Sequence, residues 1–331
     1  MKPYLAVIMD LFRAALCSRV LWILLMMITC FLLALAPLTL ERVPYQTNGS
    51  PTGNALQIRY AGYDFGPPIQ VHGRAPERLV SYAVAWFLDY IVDFMVGFFG
   101  VFIALVVTSP IIPETYKKGS VELLLSKPVS RPLLFLAKCA GACAFVFLNI
   151  VYLFVGLWLI AGLRLGLWDG GILAAIPVFL FYFLIFYCVS ALAGLIWRNA
   201  IVSLTLALVF WGACIVVAQS KTVMERVFDT EQSVAALERE NSIDRPGREF
   251  WKSVYRFGVL PLYTVFPKPL ELDNTVQYLL DGPQDAGENV RLHRFRPGAA
   301  GENPYSPIQS SAIFVAVVLG IGCLVSYRAE Y

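Results

Sequence analysis

Six long apolar segments restrict this chain to a small set of folds. A membrane-spanning helix needs about 20 consecutive apolar residues, and the segments of that kind are 20–40, 80–112, 139–163, 170–197, 199–220 and 308–327. These runs are too long for the strands of a membrane barrel, and lipid admits only helices and closed barrels. The composition agrees, since 58% of the residues are hydrophobic and 15% are charged. We therefore predict an all-α integral membrane protein with six transmembrane helices.

The positions of Lys and Arg predict the orientation of the spans. Short cytoplasmic loops are enriched in these residues, whereas long segments cross the membrane largely regardless of charge. With the N-terminus inside, the cytoplasmic side receives Lys2, Arg13, Arg19, Lys117, Lys118, Lys127, Arg131, Lys138, Arg198 and Arg328. The short loop 164–169 holds only Arg164. We predict a multi-pass protein of the cell (inner) membrane with both termini cytoplasmic and two large outer segments, 41–79 and 221–307.

The parts outside the spans carry weaker signals. Apolar residues recur every three or four positions in 1–19, which predicts an amphipathic helix in the membrane interface; the alternative is an extension of the first span. The "ALA" at 34–36 is compatible with signal-peptide cleavage, but the apolar run exceeds the usual length of about 7–15 residues and favours a retained span. Gly, Pro, Asn and Tyr in 41–79 favour turns and short strands. The second outer segment begins with a helical pattern.

Motifs for nucleotide binding and common hydrolytic chemistry are absent from the sequence. It contains no GxxxxGK[ST] phosphate loop, no HExxH and no GxSxG, and its two histidines, His72 and His293, fall in the outer segments. The seven cysteines lie in or beside apolar runs, which indicates small buried residues rather than disulfides or metal ligands. The net charge of +3 is too small to indicate a nucleic-acid partner. We predict no enzyme and no catalytic, cofactor or metal site in this chain.

Two acidic residues fall within the second apolar segment. Asp89 and Asp93 are four residues apart and therefore share one helix face. Acids at membrane depth are costly and usually functional, so the pair is a possible intramembrane polar site, such as a proton or cation relay. The alternative is that both carboxylates lie near the outer interface, in contact with water or with Arg.

The cytosolic segment 113–138 is longer than a simple connector requires. Pro113 and Glu114 suit the first turn of a short helix, Gly119 can end that helix, and Ser120 can cap a second turn that contains Glu122. The apolar run "VELLL" follows from residue 121, and Lys127-Pro128 stops it. Helices this short are marginal alone in water. The pattern therefore predicts a contact surface that docks on another element or on a partner.

The stretch "PETYKKGSVELLLSKPVSRPLLFLAKCAGA", residues 113–142, resembles the segment between the second and third spans of ABC-2 type permeases, the transmembrane subunits of ABC transporters. The resemblance rests on Gly119, Leu124, Leu125, Ser126, Lys127, Pro128, Ser130, Arg131 and Lys138. The layout of six spans, an amphipathic N-terminal helix and an outer loop between the last two spans is also similar to that family. The outer segments here are longer than the minimal form of the family, which leaves their role open.

The resemblance implies a transport subunit, an exporter by expectation, that contains no ATPase. A separate ATP-binding subunit would bind ATP and dock on the cytosolic face, and two permease chains, identical or different, would form the pathway in membrane lipid. The implied coupling residues are Glu114, Lys117, Lys118, Gly119, Glu122, Leu123, Leu124, Leu125, Ser126, Lys127, Pro128 and Arg131. Two alternatives remain: a stand-alone channel or proton-coupled carrier that uses Asp89 and Asp93, and a non-transport membrane assembly protein. The sequence leaves the substrate open.

Overall fold

Helices make up most of the part of the chain that the structure describes. The computed structural model describes residues 19–47, 50–70, 99–116, 130–165, 168, 170–237 and 306–328, with single positions between 253 and 272. The helices are α1 (Arg19–Leu35), α2 (Val101–Thr108), α3 (Ile111–Thr115), α4 (Arg131–Leu165), α5 (Gly171–Ala174), α6 (Ile176–Trp197), α7 (Ala200–Leu237) and α8 (Ser306–Arg328).

A three-stranded sheet follows α1 and corrects the expectation of an all-α chain. The strands β1 (Leu38–Thr47), β2 (Ser50–Tyr60) and β3 (Tyr63–Gln70) pair antiparallel in the order β1-β2-β3. Composition correctly favours strands in the first outer segment, but with 10, 11 and 8 residues they are longer than the short strands it predicts. Residues 71–79 lie outside the described part. The described part of the chain is therefore mostly helical, with one small sheet.

The hairpin between β2 and β3 turns through two residues with positive φ. Tyr60 pairs with Tyr63, and φ is 52° at Ala61 and 88° at Gly62. Positive φ at both central positions is the requirement of the type I′ turn, whose twist matches that of the strands. Beside the turn, Arg59 Nε donates to Asp64 Oδ1 over 2.7 Å, across a directly paired position.

Four helical stretches in the described residues are long and apolar enough to cross a membrane. They are Arg131–Arg164, Gly171–Trp197, Ala200–Lys221 and Pro307–Arg328, and they occupy the regions predicted as the third to sixth spans. Two shorter apolar stretches, Arg19–Leu35 and Val101–Thr115, fall in the regions predicted as the first and second spans. These helices, with the composition, make the chain a multi-pass membrane protein.

Several helices differ in length from the apolar runs that predict them. α4 has 35 residues and begins at Arg131, inside the predicted cytosolic segment, while α7 has 38 residues and continues into the predicted outer segment. At 1.5 Å per residue these helices are about 52 and 57 Å long, well beyond the hydrocarbon core of about 30 Å. α1 is shorter than predicted and ends at Leu35, because Pro37 has no N–H and disfavours helix at the residue before it.

A two-residue turn, Arg198 and Asn199, joins α6 to α7. Arg198 has φ of 51°, and its N–H donates to the Gly194 carbonyl over 3.0 Å, which closes α6. Asn199 then caps α7, since its Oδ1 accepts the N–H of Ile201 over 2.9 Å. α6 therefore ends and α7 begins within two residues, in a tight turn.

Contacts divide the chain into two compact units. The first comprises residues 1–103, 143–180 and 279–282, and the second comprises 104–142, 181–278 and 283–331. In the first unit, Thr29 of α1 hydrogen-bonds the Tyr152 hydroxyl of α4 over 2.7 Å, and the rings of Phe154 and Phe179 lie 5.1 Å apart. An interhelical hydrogen bond of this kind stabilises helix association in lipid by about 0.6 kcal/mol.

Aromatic side chains join α6, α7 and α8 in the second unit. The Phe210 ring stacks on Phe314 with centroids 5.3 Å apart and lies 6.3 Å from Phe186. Phe186 is also 5.6 Å from Trp211. Phe186 is fully buried, so this cluster forms the core of the three-helix part of the unit.

Candidate functional site

The structure places only the two ends of the predicted coupling segment. Glu114 and Arg131 lie among the described residues. The other predicted coupling residues fall outside them: Lys117, Lys118, Gly119, Glu122, Leu123, Leu124, Leu125, Ser126, Lys127 and Pro128. The acidic pair Asp89 and Asp93 and the predicted N-terminal helix up to residue 18 also fall outside. The structure therefore describes the residues on either side of 117–129.

The short helix α3 leads into the segment and is buried on most of its surface. Ile112, Pro113 and Thr115 are buried, whereas Glu114 is exposed. The Glu114 N–H donates to the Pro110 carbonyl over 2.9 Å, and Thr115 Oγ1 donates to the Ile111 carbonyl over 2.7 Å. Glu114 is therefore held at a fixed position on an otherwise packed turn, with its carboxylate facing outward.

Tyr116 fixes the point at which the segment departs. Its side chain is 1% exposed, and its hydroxyl lies 3.3 Å from Ser326 Oγ, which is itself fully buried on α8. A buried hydroxyl needs a hydrogen-bond partner, and this pair supplies one to each group. Tyr116, near the start of the predicted cytosolic segment, is therefore attached to α8.

Phe135 fixes the point at which the chain returns. α4 begins at Arg131, and the Leu134 N–H donates to the Ser130 carbonyl over 3.0 Å, which forms the first turn. Phe135 follows and is 0% exposed. A methyl group added at Gly322 of α8 would lie 2.7 Å from Phe135 Cε1 and Cζ. The ring therefore lies directly against the α8 backbone at Gly322.

Both anchors rest on one face of α8. Gly322 and Ser326 are four residues apart, and residues with this spacing are neighbours on a helix surface. Tyr116 contacts one of them and Phe135 the other. We call Tyr116, Phe135, Gly322 and Ser326 the anchor residues. They bring the two ends of the 117–130 segment to one stripe near the end of α8.

α3 also packs into the corner between α6 and α7. A methyl group added at Gly194 would lie 2.9 Å from Pro113 Cδ and 3.2 Å from Ser203 Oγ. Ser203 Oγ donates to the Ser190 carbonyl over 2.6 Å, so the Ser190 hydroxyl, 2.8 Å away, donates to Ser203. Ser190 and Ser203 are both fully buried. The entry to the segment is thus held by α6 and α7 as well as by α8.

The anchor residues are absent from the sequence prediction. Tyr116 lies at the edge of a basic stretch, and Phe135 and Gly322 resemble any other residue of an apolar helix. No local pattern pairs Tyr116 with Ser326, which is 210 residues away. Among the described residues, no group of three His, Cys, Asp or Glu side chains could hold a metal ion.

The spanning helices and the anchored cytosolic segment agree with the family that the sequence matches. The sequence model of one family, described as ABC-2 family transporter protein, matches residues 5–244, which is more than half of the chain. No curated protein and no solved structure matches it. The chain belongs to the ABC-2 transporter family. That family supplies the membrane component of transport, is not itself catalytic, and normally works with an ATP-binding subunit.

Proposed function

We propose that this chain is the permease subunit of an ABC-2 exporter and that a separate ATP-binding subunit docks on its cytosolic segment 113–138. Family membership supports the transport role. The observation that carries the coupling role is the pair of buried anchors, Tyr116 and Phe135, which flank residues 117–130 of the segment. On this proposal the partner binds ATP, and this chain holds no cofactor.

The anchors give the docking segment a mechanical connection to the spans. The sequence predicts short helical turns in 117–129, and helices of this length are marginal in water unless they dock. A partner that displaced the segment would pull on Tyr116 and Phe135, whose contacts are with Ser326 and Gly322 of α8. Packed interiors transmit such strain rather than absorb it. We infer that α8 receives the motion of the ATP-binding subunit.

The complete topology is also part of the proposal. α1 and the apolar residues 80–112 would supply the first two of six spans, with both termini cytoplasmic and the β1–β3 sheet on the outer side. Two permease chains, identical or different, would enclose the pathway. Residues Glu114, Lys117, Glu122, Leu124 and Arg131, with the rest of the predicted set, would form the surface that contacts the ATP-binding subunit.

The test is co-purification in mild detergent followed by mass spectrometry and an ATPase assay. The docking variant is Glu122→Arg with Leu124→Asp. The matched control is Tyr63→Asp, which also introduces an acid in place of a large side chain, at the β2–β3 turn where the side chain is exposed. We expect the parent protein and the control each to co-purify with a soluble chain that contains GxxxxGK[ST], in stoichiometric amount. We expect the docking variant to lose it, together with transport-linked ATP hydrolysis.

Two results would contradict the proposal. If the docking variant retains the partner and full ATPase activity, the segment is only a connector. If the parent protein purifies alone under several gentle conditions, the alternative of a stand-alone channel or carrier gains weight. Asp89→Asn with Asp93→Asn then becomes the decisive variant, because a carrier that uses the pair must lose flux.

A further inference from the structure

Two lysines lie at the same end of two membrane-spanning helices. Lys221 is the last residue of the apolar stretch Ala200–Lys221 of α7. The Lys268 N–H donates over 3.1 Å to Ser311 Oγ, which lies near the start of the apolar stretch Pro307–Arg328 of α8. Both lysines are partly buried. Charged residues at the ends of apolar helices lie at the depth of the lipid headgroups.

The ring of Tyr263 brings these two lysines together. The Lys221 ammonium lies 4.0 Å from the ring centroid and the Lys268 ammonium 4.2 Å from it. Both distances are within the range of a cation–π contact. Energetically significant contacts of this type are uncommon, roughly one per 70–80 residues. Two on one ring bring two ammonium groups to a single point of the interface.

The backbone around these side chains is held on the helices. Phe266 stacks on Phe210 of α7, with ring centroids 5.7 Å apart, and Phe210 stacks in turn on Phe314 of α8. The bond from the Lys268 N–H to Ser311 is a second attachment, because Ser311 is fully buried. Tyr263 and Lys268 are therefore positioned by packing rather than by their own charge.

The Tyr263 hydroxyl is an independent indication of a ligand. The side chain is 8% exposed, and its hydroxyl oxygen is buried without a hydrogen-bond partner within the described structure. Buried hydroxyl groups are nearly always hydrogen-bonded, to protein or to a bound molecule. A phosphate oxygen accepts hydrogen bonds from phenol and ammonium groups alike. The three groups thus match the chemistry of a phosphate at headgroup depth.

We propose that Lys221, Tyr263 and Lys268 bind the phosphate of an anionic phospholipid headgroup. The site lies at the membrane interface where the apolar stretch of α7 ends and that of α8 begins. The two ammonium groups supply charge, and the phenol supplies a directed hydrogen bond. Lysine and tyrosine are common at membrane interfaces as non-specific anchors. The convergence on one ring and the buried hydroxyl distinguish this arrangement from such anchors. The site does not depend on the coupling role of 113–138, so either proposal can fail without the other.

The test measures lipid binding to the delipidated, purified full chain by native mass spectrometry. The probes are short-chain phosphatidylglycerol and phosphatidylcholine of equal chain length, with inorganic phosphate as the soluble source of the same group. The variants are Lys221→Gln with Lys268→Gln, and Tyr263→Phe, which keeps the ring and both cation–π contacts. The control is Arg164→Gln with Arg328→Gln, which removes the same charge from the last turns of α4 and α8.

The parent protein should bind about one molecule of phosphatidylglycerol. It should bind this lipid more tightly than phosphatidylcholine. Each lysine near an anionic group contributes about fivefold, so the double lysine variant should bind phosphatidylglycerol about 30-fold more weakly. Tyr263→Phe should lose about tenfold, as expected for a hydrogen bond to a charged group. The control should bind as the parent protein does.

Three results would overturn the proposal. Equal losses in the double lysine variant and the control would show a non-specific interfacial effect. Unchanged binding in Tyr263→Phe, with the chain still monodisperse, would remove the hydroxyl from the site. Binding of inorganic phosphate without phosphatidylglycerol would assign the group to a soluble ligand and exclude the lipid headgroup.

Discussion

Replacement of Gly322 by alanine tests the contact that holds the start of α4 on α8. The added methyl group would lie 2.7 Å from Cε1 and Cζ of Phe135, whereas carbon atoms in favourable contact lie about 3.5–4.0 Å apart. Phe135 is 0% exposed, so its ring has no open space to enter. Either the ring must leave its preferred rotamer or α8 must move away from α4.

Gly320 provides a matched control on the same helix. An added methyl group there meets nothing within 4 Å. Alanine is favoured over glycine inside a helix by about 1 kcal/mol, and this gain applies at both positions. Overpacking costs about 1–3 kcal/mol and applies only at Gly322. We therefore expect Gly322→Ala to have a free energy of unfolding about 1–3 kcal/mol lower than that of Gly320→Ala.

The assay is unfolding in mixed micelles with increasing denaturing detergent, followed by helical circular dichroism. A second readout is the double variant Phe135→Leu with Gly322→Ala. The shorter side chain makes room for the methyl group, so the loss in the double variant should be smaller than the sum of the two single losses. Equal stability of Gly320→Ala and Gly322→Ala would refute the close packing of Phe135 on α8.

Three further experiments test other contacts. Tyr116→Phe and Ser326→Ala in a double-mutant cycle should give a coupling of about 0.6 kcal/mol in the unfolding free energy. Ala61→Gly should stabilise the β2–β3 hairpin by about 1 kcal/mol, because a left-handed conformation is costly for alanine, and Gly62→Ala should destabilise it; hydrogen exchange of the hairpin amides in the full chain measures both. Thr29→Val should lower the unfolding free energy by about 0.6 kcal/mol, since it removes the bond between α1 and α4.

Hydrophobic length predicts where the helices lie better than where they end. The apolar runs locate the four long helical stretches because burial in lipid depends on local composition. Helix ends depend on backbone hydrogen bonds and on helix-breaking residues such as Pro37. A helix can therefore continue through residues that are not apolar. α4 therefore starts at Arg131 among polar residues, and α7 continues to Leu237 past its last apolar turn.

In the candidate site, too, the sequence predicts local structure but not the contacts between distant residues. Glu114 lies in a short local helix, as the Pro-Glu start predicts, but α3 begins at Ile111 and ends at Thr115 rather than running from Pro113 to Gly119. The sequence does not predict the attachment of Tyr116 to Ser326, because these residues are 210 positions apart and each is typical of its own segment. Gly322 is equally hidden, since only the position of the Phe135 ring distinguishes it from Gly320.

The anchor residues also separate two roles for the cytosolic segment. A simple connector needs only to span the gap between two helices, and burial of both ends on one face of α8 adds nothing to that task. A segment that receives force from an ATP-binding subunit needs firm ends, because a loose end would absorb the displacement. If the segment is a connector, Gly322→Ala should reduce stability and leave the amount of transport per ATP unchanged. If it transmits force, the same variant should also lower that ratio, while Gly320→Ala keeps it.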